Sequence, residues 1–293
     1  MRVLVTGAEG MLGHDVMRAG ERAGHELVPV DLPELDITDV SAVSALVERL
    51  QDEPGSLDGI VNCAAWTDVD GAESKREQAH AVNAEGAGVL AGVAHQGGVP
   101  LLHISTDYVF DGVAPLDAEG RPRPYLESDP TGPQSVYGST KLEGERLVLL
   151  ASRVNTVVRT AWLYGIDGPN FVATMLRLAG ERDAVQVVTD QVGSPTWAGH
   201  LAPAVLGLLE REVRGIVHLT GSGHVSWHGF TQEIFRQAEL DCRVEPTTSE
   251  QFVRPAPRPA WSALETERDD VLPLPPWQDG LAGYLAARNG MMR

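Results

Sequence analysis

The sequence predicts an α/β fold: a doubly wound parallel sheet with a smaller C-terminal lobe. Three observations carry that expectation. Short apolar runs alternate with longer amphipathic ones over the first two-thirds of the chain. The first run ends in glycines that open directly into a helical pattern. After Arg159 the pattern changes, and proline-rich loops such as 254–259 separate further helices. Strands alternating with helices at this spacing make βαβ units, whose parallel strands are covered on both faces.

Each element has its own reason. Val3–Val5 is a short β-forming run. Met11 to Ala23 reads as a helix stopped by Gly24, at the position where a left-handed cap favours glycine. Leu27–Val30 is the next strand, Val40–Leu50 a helix and Gly59–Val61 a strand. Lys75–His95 reads as one long helix, followed by a strand over Val99–Ile104. Tyr137–Ala151 is a helix and Thr156–Val158 a strand. Beyond Arg159, helices are expected at Phe171–Gly180, Trp197–Leu209 and Phe230–Leu240, in a lobe that shares elements with the sheet. No internal repeat or low-complexity tract interrupts the chain.

Composition narrows the function classes. The 293 residues are 43% hydrophobic and 22% charged, the balance of a globular protein. There are 41 acidic against 23 basic residues, a formal charge of -18, which argues against nucleic-acid binding. No apolar run approaches the ~20 residues of a membrane span. The N-terminal residues lack the apolar stretch of a signal peptide. Two cysteines, Cys63 and Cys242, form no framework, and a reducing cytoplasm is the expected setting.

Gly7-Ala8-Glu9-Gly10-Met11-Leu12-Gly13 follows the first strand and starts the first helix. Glycines let the backbone turn sharply and approach a pyrophosphate, and the free N–H groups of the helix start face that anion. Such a turn marks a dinucleotide site, with residues 1–160 as its domain and 161–293 mainly a substrate-binding lobe. The adenosine ribose then calls for an acid at the end of the second strand. Asp31 stands there. No arginine follows it to receive a 2′-phosphate, so the reading leans to NADH over NADPH, unless Arg2 or Arg18 folds in. Asp36 and Ile37 either line the adenine or precede the next helix, with Asp36 or Thr38 as its N-cap.

Tyr137 and Lys141 carry the strongest chemical signal. Residues i and i+4 share a helix face. Lys75 and Lys141 are the only lysines in a chain that otherwise uses arginine. Lysine is a compact point charge suited to a tight site. A nearby ammonium favours phenolate; bringing a tyrosine from ~10 to near 7 takes about 4 kcal/mol. Carbonyl reduction also needs a donor to polarise the oxygen. Ser105 or Thr106, at the carboxyl edge of a strand, can serve, or can merely cap the strand end.

Together the glycine turn and Tyr137-x-x-x-Lys141 resemble the extended short-chain dehydrogenase/reductases, with their Rossmann-like sheet. The chain is similar, more narrowly, to the dTDP-4-dehydrorhamnose reductase family. The stretches that match are 62–73, 105–112, 136–145, 159–165 and 190–196, with Arg258-Pro259 and Ser262-Ala263-Leu264 in the tail. The resemblance implies reduction of the C4 ketone of dTDP-4-dehydro-6-deoxy-L-mannose. Thr106 would polarise the carbonyl, Tyr137 would protonate it, and Lys141 would tune Tyr137 and hold the nicotinamide ribose. Asn62, Cys63, Ala64 and Ala65 would line the cofactor. Thr67, Asp107, Tyr108, Trp162 and Asn170 would face the nucleotide-sugar. Trp66 and Trp261 depart from the family pattern and are expected to shift sugar or partner contacts. Some relatives form Mg²⁺-bridged dimers, so a homodimer is possible; no metal cluster is assigned here.

Other features are set aside. His224 and His228 have a spacing that can bind zinc but lack completing ligands. His14 reads as an exposed helix position. Two further activities stay open: 4-ketoreduction of another dTDP-deoxysugar, and non-catalytic dinucleotide binding in a regulatory subunit. Dehydration is disfavoured, because dehydratases of this superfamily carry an Asp-Glu pair where Asp107 is followed by Tyr108.

Overall fold

The computed structural model describes residues 1–291. The first half runs β1 (Arg2–Thr6), α1 (Met11–Arg22), β2 (Glu26–Val30), α2 (Val40–Asp52), β3 (Gly59–Asn62), α3 (Val69–Ser74), α4 (Arg76–His80), α5 (Ala87–Gln96), β4 (Leu101–Thr106), α6 (Val136–Ala151) and β5 (Thr156–Thr160). The second half runs β6 (Leu163–Tyr164), α7 (Phe171–Glu181), β7 (Ala184–Val188), β8 (Val192–Gly193), β9 (Thr196–Trp197) and α8 (Ala198–Glu210). It continues through β10 (Gly215–His218), β11 (Val225–Ser226), α9 (Trp227–Gln237), β12 (Arg243–Thr247), β13 (Trp261–Ser262) and α10 (Trp277–Met291).

Six strands form the main sheet in the order β10-β5-β4-β3-β1-β2, every pair parallel. The order reverses between β1 and β3, and open sheets of this kind bind ligands at that crevice, outside the carboxyl ends. Alternation along the strands feeds two cores. Val3, Val5, Val61, Leu102 and Val158 face α1 and α8, where Leu12, Val16, Leu201 and Val205 meet them. Leu4, Ile60, Leu101 and Val157 face the other way, onto Val43 and Val47 of α2, Leu90 and Ala94 of α5, and Val148 of α6. A third core, with Val172, Phe230, Ile234, Trp277, Leu281 and Tyr284, fills the C-terminal lobe. Two of that half's elements, α8 and β10, belong to the sheet layers.

Local sequence explains the helix ends. Gly24 does adopt the left-handed conformation, φ +75°, just past α1. Asp39 caps α2, accepting from the Ser41 and Ala42 amides at 2.9 and 3.1 Å. Neither Asp36 nor Thr38 is the cap; Asp36 instead accepts from the amide and hydroxyl of Thr38.

The expected helix over Lys75–His95 is corrected. Lys75 breaks it, at φ -121°, ψ 47°. From α4 the chain passes through a π-helical turn, Ala81–Gly86, into α5. The wider turn brings Asn83, 1% exposed, against the loop after β3, where it bonds both the amide and the carbonyl of Trp66, at 2.8 and 3.2 Å. These tertiary bonds override the regular period. The helix expected from Phe230 begins earlier, at Trp227, capped by Ser226. Among the described residues no helix is long and apolar enough to cross a membrane.

Candidate active site

The glycine turn leaves β1 at the crevice. Gly7 has φ +70°, and a Cβ on it would lie 2.5 Å from the Ala64 amide nitrogen. A Cβ on Gly13 would sit 2.2 Å from the Gly7 carbonyl. Both glycines are therefore required for the close packing of the turn. Gly10 caps α1 without any side-chain bond, so no side chain covers the first amides of that helix. An uncapped helix start at a glycine turn fits a phosphate. Gly13→Ala is expected to weaken dinucleotide binding at least about tenfold, since overpacking here costs about 1–3 kcal/mol of turn geometry. Quenching of protein fluorescence by NADPH measures it. Gly207→Ala, whose added Cβ meets nothing within 4 Å, is the control.

The turn opens into a cleft of about 1200 Å³ along the carboxyl ends of the sheet. Its walls include Gly7, Gly10, Met11, Leu12 and Gly13, then Asp31, Asp36 and Ile37, then Cys63, Ala64, Ala65 and Thr67. They continue with Thr106, Asp107, Tyr108, Tyr137, Lys141 and Trp162. Two expected site residues are not in the wall. Asn62 is 1% exposed beneath it, and its oxygen accepts from the Ala64 amide at 3.0 Å, shaping the loop above. Asn170 caps α7, accepting from the Ala173 amide and donating to the Gly165 carbonyl, so its polar atoms are committed within the fold. Trp66 and Trp261 are also outside the wall. Their indole N–H groups donate to the carbonyls of Asp68 and Arg123.

Asp31 accepts one backbone bond on each oxygen, from Glu9 and Leu32, at 2.9 and 2.8 Å. That geometry holds the carboxylate at the rim with lone pairs to spare. Neither Arg2 nor Arg18 folds in. Arg2 pairs with Glu26 and Glu53, and Arg18 with Asp15 and Asp167.

At the other end, α6 presents Tyr137 and Lys141. Ser135 caps it, bonding the Gly138 amide at 3.1 Å, while Glu73 of α3 accepts from the Val136 amide at 2.8 Å. Gly138 lets the Tyr108 carbonyl approach to a point only 2.2 Å from where a Cβ would stand, and Gly144 does the same for the Asn83 carbonyl at 2.1 Å. The helix is thus seated directly on the strand-end loop and the π-helical turn. The rings of Tyr108 and Tyr137 meet edge to face at 5.5 Å.

The two candidate hydroxyls separate. Ser105 donates to Glu145 at 2.6 Å, inside a buried ion pair in which Glu145 takes two bonds from Arg159, at 2.9 and 2.7 Å. Thr106 lies beside Tyr137 and donates to Asp107 Oδ1 at 2.8 Å. Asp107 is 3% exposed, and its Oδ2 has no hydrogen-bond partner among the described residues. Burial lifts its pKa to about 6.

The electrostatics of the pair differ from expectation. Tyr137 is not acidified. Burial, with the Asp107 charge, pushes its phenol up to about 12, against a smaller opposing bond to Thr106. Lys141 comes down to about 8 through burial. Its amine donates to the Ile104 carbonyl at 2.7 Å and faces His103 at 3.2 Å, so it is held on the strand side.

The C-terminal lobe supplies residues that the sequence reading missed. Arg254 and Arg258 line the cleft, with Asp70 pairing to Arg258 through two 2.9 Å bonds. Clustered arginines in a loop are what a diphosphate attracts, and that signal was present in Arg254-Pro255-Ala256-Pro257-Arg258. Trp227 also lines the cleft and stacks on Trp162, centroids 3.4 Å apart. Trp162 itself has φ +46°. His224 and His228 diverge: His224 packs on the Trp261 ring and His228 faces the Val244 carbonyl.

The chain matches the RmlD substrate binding domain over residues 1–289. It is 43% identical over 293 residues to a dTDP-4-dehydrorhamnose reductase of Mycobacterium tuberculosis, covering 98% of this chain and 93% of the relative. A crystal structure of a dTDP-4-dehydrorhamnose reductase from Clostridium acetobutylicum superposes with TM-score 0.90 at 40% identity, covering 99% of this chain and 100% of that one. The Bacillus anthracis enzyme of the same name, solved in complex with NADP, gives TM-score 0.90 at 36% identity over 98% of this chain and 99% of that one.

Proposed function

Because the chain belongs to the dTDP-4-dehydrorhamnose reductase family, we propose that it reduces the C4 ketone of dTDP-4-dehydro-6-deoxy-L-mannose to dTDP-L-rhamnose with NADPH or NADH. One observation carries this reading: Thr106, Tyr137 and Lys141 meet in a single cleft whose far end is the glycine turn and Asp31. When bound, the reduced nicotinamide supplies a hydride to the carbonyl carbon. The residues of this chain do the rest.

Tyr137 gives its proton to the carbonyl oxygen, so the C=O becomes CH–OH. A phenol raised to about 12 stays protonated at neutral pH, as a donor must. Thr106 polarises the same oxygen by turning its hydroxyl from Asp107. The unpartnered Oδ2 of Asp107 accepts from a sugar hydroxyl, which removes the cost of leaving it buried and unbonded. Lys141 holds the nicotinamide ribose, and its charge bears on the phenolate left after proton transfer. Arg254 and Arg258 take the diphosphate, and Trp162 packs on the nucleotide-sugar. Thr67 and Tyr108 complete that side of the wall.

The cofactor preference leans to NADH. Asp31 would repel a 2′-phosphate, and both nearby arginines are paired elsewhere. The assay therefore uses both nucleotides. Incubation with the 4-keto sugar should consume reduced nucleotide one for one and give a new CH–OH proton at C4 by NMR. Nucleotide binding without any reduction would remove the proposal and favour a regulatory subunit. We place the enzyme in the cytoplasm, in keeping with the free thiols of Cys63 and Cys242.

A further inference from the structure

Beneath the cleft lies a line of buried side chains that the proposed reaction leaves without a task. The Ala64 amide and the Thr6 hydroxyl both donate to Asn62 Oδ1, at 3.0 and 2.8 Å. A backbone N–H can only donate, so this oxygen is fixed in place. Asn62 Nδ2, also a pure donor, then lies 3.0 Å from His103 Nδ1, which must be the accepting nitrogen. His103 is 1% exposed on β4, and burial holds its pKa well below the ordinary imidazole value, helped by the Lys141 charge. The ring is therefore neutral. With Nδ1 bare, its proton sits on Nε2. Nε2 faces Lys141 Nζ at 3.2 Å. An ammonium has three donors and no lone pair, so two donors would oppose each other; an uncharged amine has a lone pair to receive the N–H.

We propose that His103, its tautomer set by Asn62, is a positioning residue for Lys141: its Nε2–H faces the lysine nitrogen, turns the ammonium's own N–H onto the Ile104 carbonyl and weakens its hold on a proton, while leaving it charged at neutral pH. The importance of this contact for turnover rests on the role given to Lys141 above. Other groups bear on the same nitrogen. Glu145, one turn on along α6, favours the ammonium. Cys63 remains a thiol, because burial lifts its own pKa to about 12, and so adds no charge. The donor from β4 acts against Glu145.

The chain offers a direct readout. Lys75 and Lys141 are its only lysines, so protein labelled with 13C-lysine gives two Cε signals, and exposed Lys75 is the internal standard. In the wild-type protein Lys141 should titrate more than about one pH unit below the ordinary lysine value of about 10.4. Imidazole 15N shifts should show His103 with bare Nδ1 and protonated Nε2. His103→Gln adds no charge, and its amide can turn an oxygen toward Nζ; the Lys141 titration should rise by about one pH unit. In Asn62→Asp the carboxylate accepts a hydrogen bond from Nδ1–H and leaves Nε2 bare to accept, which shifts Lys141 the same way.

A Lys141 titration unmoved in His103→Gln overturns the proposal, and so does an Nδ1–H tautomer in the wild type. If His103→Gln does not fold, the wild-type 15N shifts decide alone. If the wild-type protein reduces no 4-keto sugar, the functional reading fails, while these signals still decide the assignment of His103.

Discussion

Tyr137→Phe should slow 4-keto sugar reduction by roughly 10²–10⁴-fold, the usual span of a single acid–base group. The substitution keeps the ring, so the edge-to-face contact with Tyr108 and the seating of α6 at Gly138 persist. What disappears is the proton that is to be transferred to the carbonyl oxygen. The loss should appear in kcat, with nucleotide binding and KM little changed, because the phenol acts in the transition state more than in the ground state. The pH dependence has a definite sign. A donor works while protonated, and burial puts this phenol at about 12, so Tyr137 itself imposes no alkaline loss of reduction near neutrality. Stopped-flow oxidation of NADH or NADPH checks both statements. Unchanged turnover in Tyr137→Phe would falsify the assignment.

The largest effect on stability is expected away from the chemistry. Glu145 and Arg159 are each 2% exposed and joined by two hydrogen bonds, with Ser105 donating to the same carboxylate. The pair ties α6 to the ends of β4 and β5. Glu145→Gln would leave a buried guanidinium without its counter-charge, and breaking such a pair costs about 3–5 kcal/mol. For a chain of this length that is a fall in Tm of roughly 10 °C. Replacing both residues together, Glu145→Leu with Arg159→Met, should recover much of the loss, because no charge is then stranded. Thermal melts of the three proteins test this. A single mutant that melts within a degree or two of the wild type would show the pair to be dispensable.

These two sites show what the sequence could tell and what it could not. Tyr137 and Lys141 were legible because a fixed helical spacing puts them on one face. The turn from Gly7 to Gly13 was legible because it follows a strand. The direction of the Tyr137 shift was not, because it depends on burial and on Asp107 more than on its neighbour in sequence. Asn83, His103 and Glu145 were invisible for a similar reason: each acts through a partner distant in the chain. The π-helical turn goes with bonds between Asn83 and Trp66, which no local period announces. Strands of two residues, such as β8 and β13, are too short to carry an alternation. Arg254 and Arg258 could have been found from their charge alone.

The position of α8 and β10 bears on how new specificities can be built. Both lie late in the chain, yet one covers a face of the sheet and the other extends its edge. A chimera that joins the first 160 residues of this protein to the remainder of a relative would exchange part of the nucleotide domain's own hydrophobic interior along with the sugar pocket. Productive crossovers would instead transplant the intervening loops and helices, α7 and α9 among them, and leave α8 and β10 native.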